Sequence, residues 1–390
     1  RSAAVARWKK IYWDDFIPFA PGVRRLATYY YDAVQPEDPY EFTGLLRDQP
    51  LLATLRNDAM GRLARQLAAN VLLRSAVERL LAECADTLDW PAFRDALLQL
   101  ADGAVDFIRG FEDMNERFLD IVYDEERLHD QPESVLRNLI ELSRAPNRLL
   151  NAAPVTGCSI AALEKRLQDA VGPERIDEAL DMIETGRVSW KLRDDDNLLV
   201  ARLESQLQRA LDVAAKRLQE HDRLSSKARP GVTHIMPMVR ALREPSSGPI
   251  TLEDNVKAPK VELSCTPPGE TPRQLIGQPA SPGVATGAVR CIRGRDDLGG
   301  FRQGEILVCE AIQPTMTHLV PLASAIVERR GGMLIHGAII ARELGIPCVN
   351  GVRHVHEILK NGDLVTVDGH LGIVTVGAAE FDLELGIQST

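Results

Sequence analysis

Apolar residues recur at steps of three and four from about residue 3 to residue 224, as in Leu63, Leu67 and Val71, or in Leu203, Leu207, Leu211, Ala214 and Leu218. That period places them on one face of a helix and predicts a helical bundle over residues 1–224. Pro18, Pro21, Pro36, Pro39, Pro50, Gly172-Pro173 and Gly186 divide it into five to eight helices. After Gln278 the period falls to two. Short runs at 288–292, 305–310, 325–328, 347–349, 364–367 and 372–376 read as strands, with helical segments near 316–323 and 337–344. The expected fold class is multidomain α and α/β, with the helical bundle followed by a compact domain over 278–378 and a tail over 379–390. Ten of the 23 prolines fall between His221 and Pro282, which makes 225–277 a Pro-rich linker. Within it the apolar patch 232–242 is expected to dock on the bundle and 243–275 to be the moving section.

Composition narrows the function classes. A chain of 390 residues, 45% hydrophobic, holds more than one core. The net charge of −10 argues against a nucleic-acid partner, because phosphate backbones need a basic face. No apolar run is long enough for a membrane span, so no membrane partner is expected either. Six cysteines without a C-x-x-C pair, and no Asn-x-Ser/Thr acceptor, fit a cytoplasmic protein. The chain opens on Arg1 and is expected to be a piece of something longer. The early aromatics Trp8, Tyr12, Trp13, Phe16, Phe19 and Tyr29 to Tyr31 read first as helix-helix core, with Trp13 kept as a candidate for an acceptor pocket.

The candidate chemistry lies in RRGGMLIHGAIIARELGIP, from Arg329 to Pro347. His336 follows a Gly-Gly pair and opens a helical run. A helix start offers unpartnered N–H groups and a partial positive charge. Gly331 and Gly332 let the backbone approach an anion closely. A neutral imidazole there is a nucleophile for phosphorus, and the helix start holds the phosphoryl group it gains. Gly331, Gly332, Gly337 and Arg342 are the phosphoryl-binding candidates. Lys191 and Arg193, followed by Asp194, Asp195 and Asp196, are candidates for an anion or metal-phosphate contact in the bundle. The competing reading makes that acidic run a helix N-terminus.

GGMLIHGAIIARELGIPCVNGV resembles the phosphohistidine signature of the PEP-utilising enzymes, the superfamily of pyruvate phosphate dikinase, PEP synthase and rifampicin phosphotransferase. SPGVATGAVR at 281–290, PTMTHLVPLASAIVERRGG at 314–332 and NGDLVTVDGHLGIV at 361–374 are similar to its other motifs. The helical half resembles the central region of PEP-synthase-like proteins through RWKKIYWDDFIPFAPGVRRLATYYYDAV and SWKLRDDDNLLVARLE. Two departures stand out. Ile335 occupies a place where the family usually has Ser, Thr or Cys, and Ala311-Ile312-Gln313-Pro314 replaces a Thr-x-Pro.

The resemblance implies that residues 278–378 form a swivelling β/β/α phosphohistidine domain. It further implies that the chain is the acceptor-binding and carrier portion of an ATP-dependent phosphotransferase, in which His336 relays phosphoryl from ATP to a small-molecule acceptor. ATP and Mg²⁺ would belong to an ATP-grasp domain, upstream or in trans, and no metal ligands are assigned to this chain. One alternative is a PEP-dependent phosphocarrier resembling enzyme I of the sugar phosphotransferase system, whose helical part is inserted within its histidine domain. The other is a non-catalytic helical binding module.

Overall fold

The computed structural model describes residues 17–38, 40–47, 49–83, 88–123, 126–130, 132–144, 159–224, 230–244, 248–252, 272–333 and 335–378, together with Ala6, Arg7, Lys10 and Asp14. Trp8, Tyr12, Trp13 and Phe16 lie outside the described residues, as does 253–271, most of the expected moving section.

Eight α-helices make up the described part of the bundle: α1 (Gly22–Val34), α2 (Leu52–Ala69), α3 (Val71–Glu83), α4 (Trp90–Leu100), α5 (Ala104–Phe118), α6 (Pro132–Ser143), α7 (Ile160–Val171) and α8 (Ile176–Glu220). Their starts follow capping chemistry. Asp89 accepts from Ala92 N at 3.4 Å ahead of α4, Ser159 accepts from Ala162 N at 3.2 Å ahead of α7, and Asn70 accepts from Leu73 N at 3.0 Å ahead of α3. The break at Asn70 separates Val71 from the face of Leu63 and Leu67, so Val71 is exposed while those two are buried. A short hairpin, β1 (Val122–Tyr123) with β2 (Glu126–Arg127), is tied to α8: buried Arg127 pairs with Asp120 at 3.0 Å and donates to Ser205 Oγ.

Two expectations are corrected by α8. Gly186 sits inside this 45-residue helix, not in a turn. It allows close approach of α1, since a Cβ on Gly186 would lie 2.6 Å from Leu26 Cδ2. Leu203 and Leu207, read as core, are exposed, and only Leu211 and Leu218 of that run are buried. There α9 (Ile235–Arg243) lies along α8 through Met238 and Ala241, as expected for the docked patch, and Leu252 joins the same cluster. The bundle side therefore holds the chain at least to Leu252.

The second domain is an eight-stranded sheet in the order β3-β10-β9-β5-β6-β7-β8-β4. Its strands are β3 (Gln274–Ile276), β4 (Gln278–Ser281), β5 (Val284–Ile292), β6 (Ile306–Cys309), β7 (Ala325–Glu328), β8 (Cys348–Asn350), β9 (Leu364–Asp368) and β10 (Ile373–Val376). The central four, β5 to β8, are parallel and the rest antiparallel. The edge strands β3 and β4 are separated only by Gly277, so the sheet curls until its two edges meet. The domain thus begins at Gln274, earlier than the expected 278, because β3 pairs with β10. Lacking a strong alternation of their own, β3 and β4 escaped the sequence pattern. The expected helix at 316–323 is a set of turns ending in one 3-10 turn, Val320–Leu322.

Both faces of the parallel strands are buried, as such strands require. Ile306, Val308, Ala325 and Val327 face a cluster closed by α11 (Val355–Ile358) and Leu359. Leu307, Cys309 and Ile326 face α10 (His336–Glu343), through Ala338, Ile340 and Ala341, in a cluster that runs on into the bundle. Leu298, Phe301, Leu319 and Leu322 from the second domain join Leu81, Leu136 and Ile140 there. At this seam the fully buried Arg56 of α2 donates from Nη1 to Pro314 O at 2.8 Å. Beside it the fully buried His318 is pushed down to about 3 by burial and the Arg56 charge, against the Thr315 backbone, so the ring is neutral at pH 7. Among the described residues no helix is long and apolar enough to cross a membrane.

Replacing Arg56 by Ala removes a buried donor and leaves a void at the seam, where Pro314 O keeps only the Thr317 hydroxyl as a donor. We expect a loss of about 2–4 kcal/mol. Hydrogen exchange should accelerate at 314–322 while β9 and β10 keep their protection. Uniform acceleration across the whole sheet would show instead that Arg56 supports the fold at large.

Candidate functional site

His336 is the first residue of α10, and Ile335 occupies the N-cap in an extended conformation (φ −78°, ψ 159°) without a side-chain cap. Ile339 N closes the first helical bond on Ile335 O at 3.1 Å, so the amides of Gly337 and Ala338 lie in the open first turn. The imidazole is half-buried, with Nε2 shielded from solvent. Ile335 packs against the cluster shared with the bundle, and Ile339 packs among Val23, Leu26, Tyr30 and Leu45. The face of α10 next to the histidine is therefore docked on the helical domain.

The loop before the histidine is held from two sides. Gly332 takes φ +142°, a region that favours glycine. The buried Asn350, at the end of β8, donates from Nδ2 to Gly332 O at 2.7 Å and accepts from Gly332 N at 3.4 Å. Arg342, one of the phosphoryl-binding candidates, instead donates from Nη1 to Met333 O at 2.7 Å. Burial lowers its pKa, while Cys348 and the bundle residues Tyr40 and Asp38 act in the opposite direction. In this position Arg342 braces the loop across the helix. The close neighbours of Gly331 and Gly332 are within the chain: a Cβ on Gly331 would lie 3.2 Å from Gly351 Cα, and one on Gly332 would lie 2.8 Å from Ile335 Cγ2.

Gly337 has a different reason to be glycine. A Cβ there would lie 2.4 Å from Glu328 Oε1 and 2.6 Å from Oε2. Glu328 ends β7, is fully buried, and accepts from Ile312 N through Oε1 at 2.6 Å. Burial pushes its carboxyl up to about 7, against the lowering effect of the Ile312 amide. The folded state thus favours the protonated form, a contribution present below about pH 4.5 and lost as pH rises to about 7. It amounts to about 3 kcal/mol. Sequence reasoning passed over Glu328 and Asn350. The available signals were a charged residue ending the apolar run AIVE and a polar one ending CVN.

Two of the bundle candidates, Asp195 and Lys191, hold bundle backbone. Asp195 Oδ1 accepts from Leu52 N at 2.8 Å, capping α2 from across the bundle, and Lys191 Nζ donates to Pro50 O at 2.7 Å and pairs with Asp195 at 3.7 Å. The acidic run lies mid-helix in α8, so the helix-start reading is corrected as well. The side chain of Arg193 and all of Trp13 lie outside the described residues. Among the described residues no group of three or more His, Cys, Asp or Glu side chains is arranged to hold a metal ion.

The site thus places a histidine at a helix start, beside a glycine-containing loop that Asn350 and Arg342 clamp. In comparison with known proteins, residues 301–372 match the family model of the PEP-utilising enzyme, mobile domain, and the likeness to the PEP-utilising enzyme superfamily rests on this domain. It is 46% identical over 106 residues to the uncharacterized phosphotransferase YvkC of Bacillus subtilis (27% of this chain, 13% of that protein). It is 40% identical over 129 residues to the phosphoenolpyruvate synthase of Aeropyrum pernix (33% and 16%). The matched region thus spans only about a seventh of the length of these relatives. An NMR structure of Enzyme I is 32% identical over 22% of this chain and 38% of that one, with a TM-score of 0.19.

The Gly337–Glu328 contact makes a testable pair. Gly337→Ala alone should cost about 2–4 kcal/mol, because the methyl group collides with a carboxyl that has nowhere to go. In a Glu328→Ala background the same change should cost under about 1 kcal/mol. Chemical denaturation of the four proteins measures the coupling, and additive costs would mean the two residues do not meet.

Proposed function

We propose that the chain is the acceptor-binding and phosphohistidine-carrier portion of a phosphotransferase, His336 taking phosphoryl from an ATP-grasp domain and passing it to a small molecule held by the helical domain. The observation that carries this reading is the placement of His336 at the open first turn of α10, with that helix docked on the bundle through Ile335 and Ile339. In the first half-reaction a neutral imidazole nitrogen attacks phosphorus, the donor's bond to phosphorus breaks, and the first-turn amides hold the new phosphoryl oxygens. The second half-reaction reverses the roles, with an acceptor oxygen attacking phosphorus and the imidazole leaving. ATP and Mg²⁺ act in the separate nucleotide domain of this scheme. The described stretch from Gln274 to Val376 forms one sheet without an inserted helical domain, which favours this reading over the enzyme-I-like carrier.

The first half-reaction can be isolated. Phosphoramidate, a small donor that phosphorylates histidine without an enzyme, should place an acid-labile, base-stable phosphoryl group on His336, mapped by mass spectrometry. With the nucleotide domain and Mg²⁺ supplied, ATP labelled in its β-phosphate should do the same, and His336→Ala should abolish net transfer. Transfer at the normal rate in that variant would refute the relay.

A further inference from the structure

The least explained group near the site is Glu328. Its carboxyl is fully buried and lies against Gly337, in the first turn of α10. Oε1 is satisfied by Ile312 N, whereas Oε2 has no hydrogen-bond partner among the described residues. An ionised carboxylate in that place would hold an uncompensated buried charge. It would also bind the positive end of the helix that a phosphoryl group needs. Two anions cannot share one helix start cheaply, so one must be neutralised.

We propose that Glu328 is a positioning residue for the phosphohistidine: it must be protonated for His336 to carry phosphoryl, so that charging the carrier takes up a proton and discharging it releases one. This rests on the relay reading of His336. When phosphoramidate is the donor, an imidazole nitrogen forms the new N–P bond, the donor P–N bond breaks and its electron pair leaves with the amine. The proton on the other ring nitrogen stays. Above pH 7, where Glu328 of the uncharged carrier is ionised, one further proton moves from water to its carboxyl.

The surroundings leave Glu328 as the group able to do this. Cys309 on β6 and Cys348 on β8 flank it, and burial pushes both thiols up, keeping them neutral. Glu310 is engaged by Arg329 and Arg330, and the Arg329 partnership lowers its carboxyl. From α10, Arg342 is bound to Met333 O, and Glu343 stands at the far end of the helix from Gly337. On the bundle side Arg56 is bound to Pro314 O, and Asp38 and Tyr40 act on Arg342.

The test compares wild type with Glu328→Gln, a neutral group of the same shape, in phosphoramidate labelling of His336 from pH 6 to pH 8.5. At pH 6 the two yields of phosphohistidine should agree within about twofold. At pH 8.5 the variant should exceed wild type by about tenfold, since linkage allows up to tenfold per pH unit above 7. A parallel measurement of proton uptake per phosphoryl group, in weak buffer at pH 8, should give close to one more proton for wild type than for the variant. Equal yields across the pH range together with equal proton uptake would overturn the inference while leaving the relay intact. Labelling that never reaches His336 in either protein would instead overturn the relay reading, and this inference with it.

Discussion

The apolar seam between the helical domain and the sheet is the constraint on which the rest depends. The parallel strands β5 to β8 must cover two faces. One is closed within the domain by α11, whereas the other is closed by α10 and then by the bundle itself. Each large side chain buried there contributes about 1.5–3 kcal/mol. A carrier that leaves this position must therefore exchange one apolar interface for another of comparable worth. A tether alone does not make the domain mobile; a second docking surface has to compete with the seam.

Docking also decides what surrounds the histidine. The same helix and its N-cap supply the first-turn amides on one side and Ile335 and Ile339 to the bundle on another, so the proposed phosphoryl site and the interface are built from one short element. Asn350, Arg342 and Glu328 then fix the loop and the helix start from β8, from α10 itself and from β7. Ile335 lacks the side-chain oxygen that caps most helices, and its apolar side chain serves the seam.

That His336 opens a helix behind a Gly-Gly loop was legible in the sequence, because helix starts and glycine-rich loops leave a local signature, and the two-residue period marked six of the sheet strands. The rest depended on contacts distant in sequence. Gly186 looked like a turn but faces Leu26, some 160 positions away, and Asp195 looked like part of an anion site but caps Leu52. Leu203 and Leu207 kept the helical period but stay exposed, so the pattern overstated their burial. Glu328 left only a weak signal, a charge closing the apolar run AIVE, because its burial comes from the helix that follows.

The central claim is that the open first turn of α10 holds the phosphoryl group on His336. Amide NMR of the deuterated protein before and after phosphorylation tests it most directly. The account predicts that the amide protons of Gly337 and Ala338 move downfield by the largest amounts in the domain, as charge-assisted bonds to the phosphoryl oxygens form. Phosphorylation of His336 that leaves those two amides where they were would contradict it.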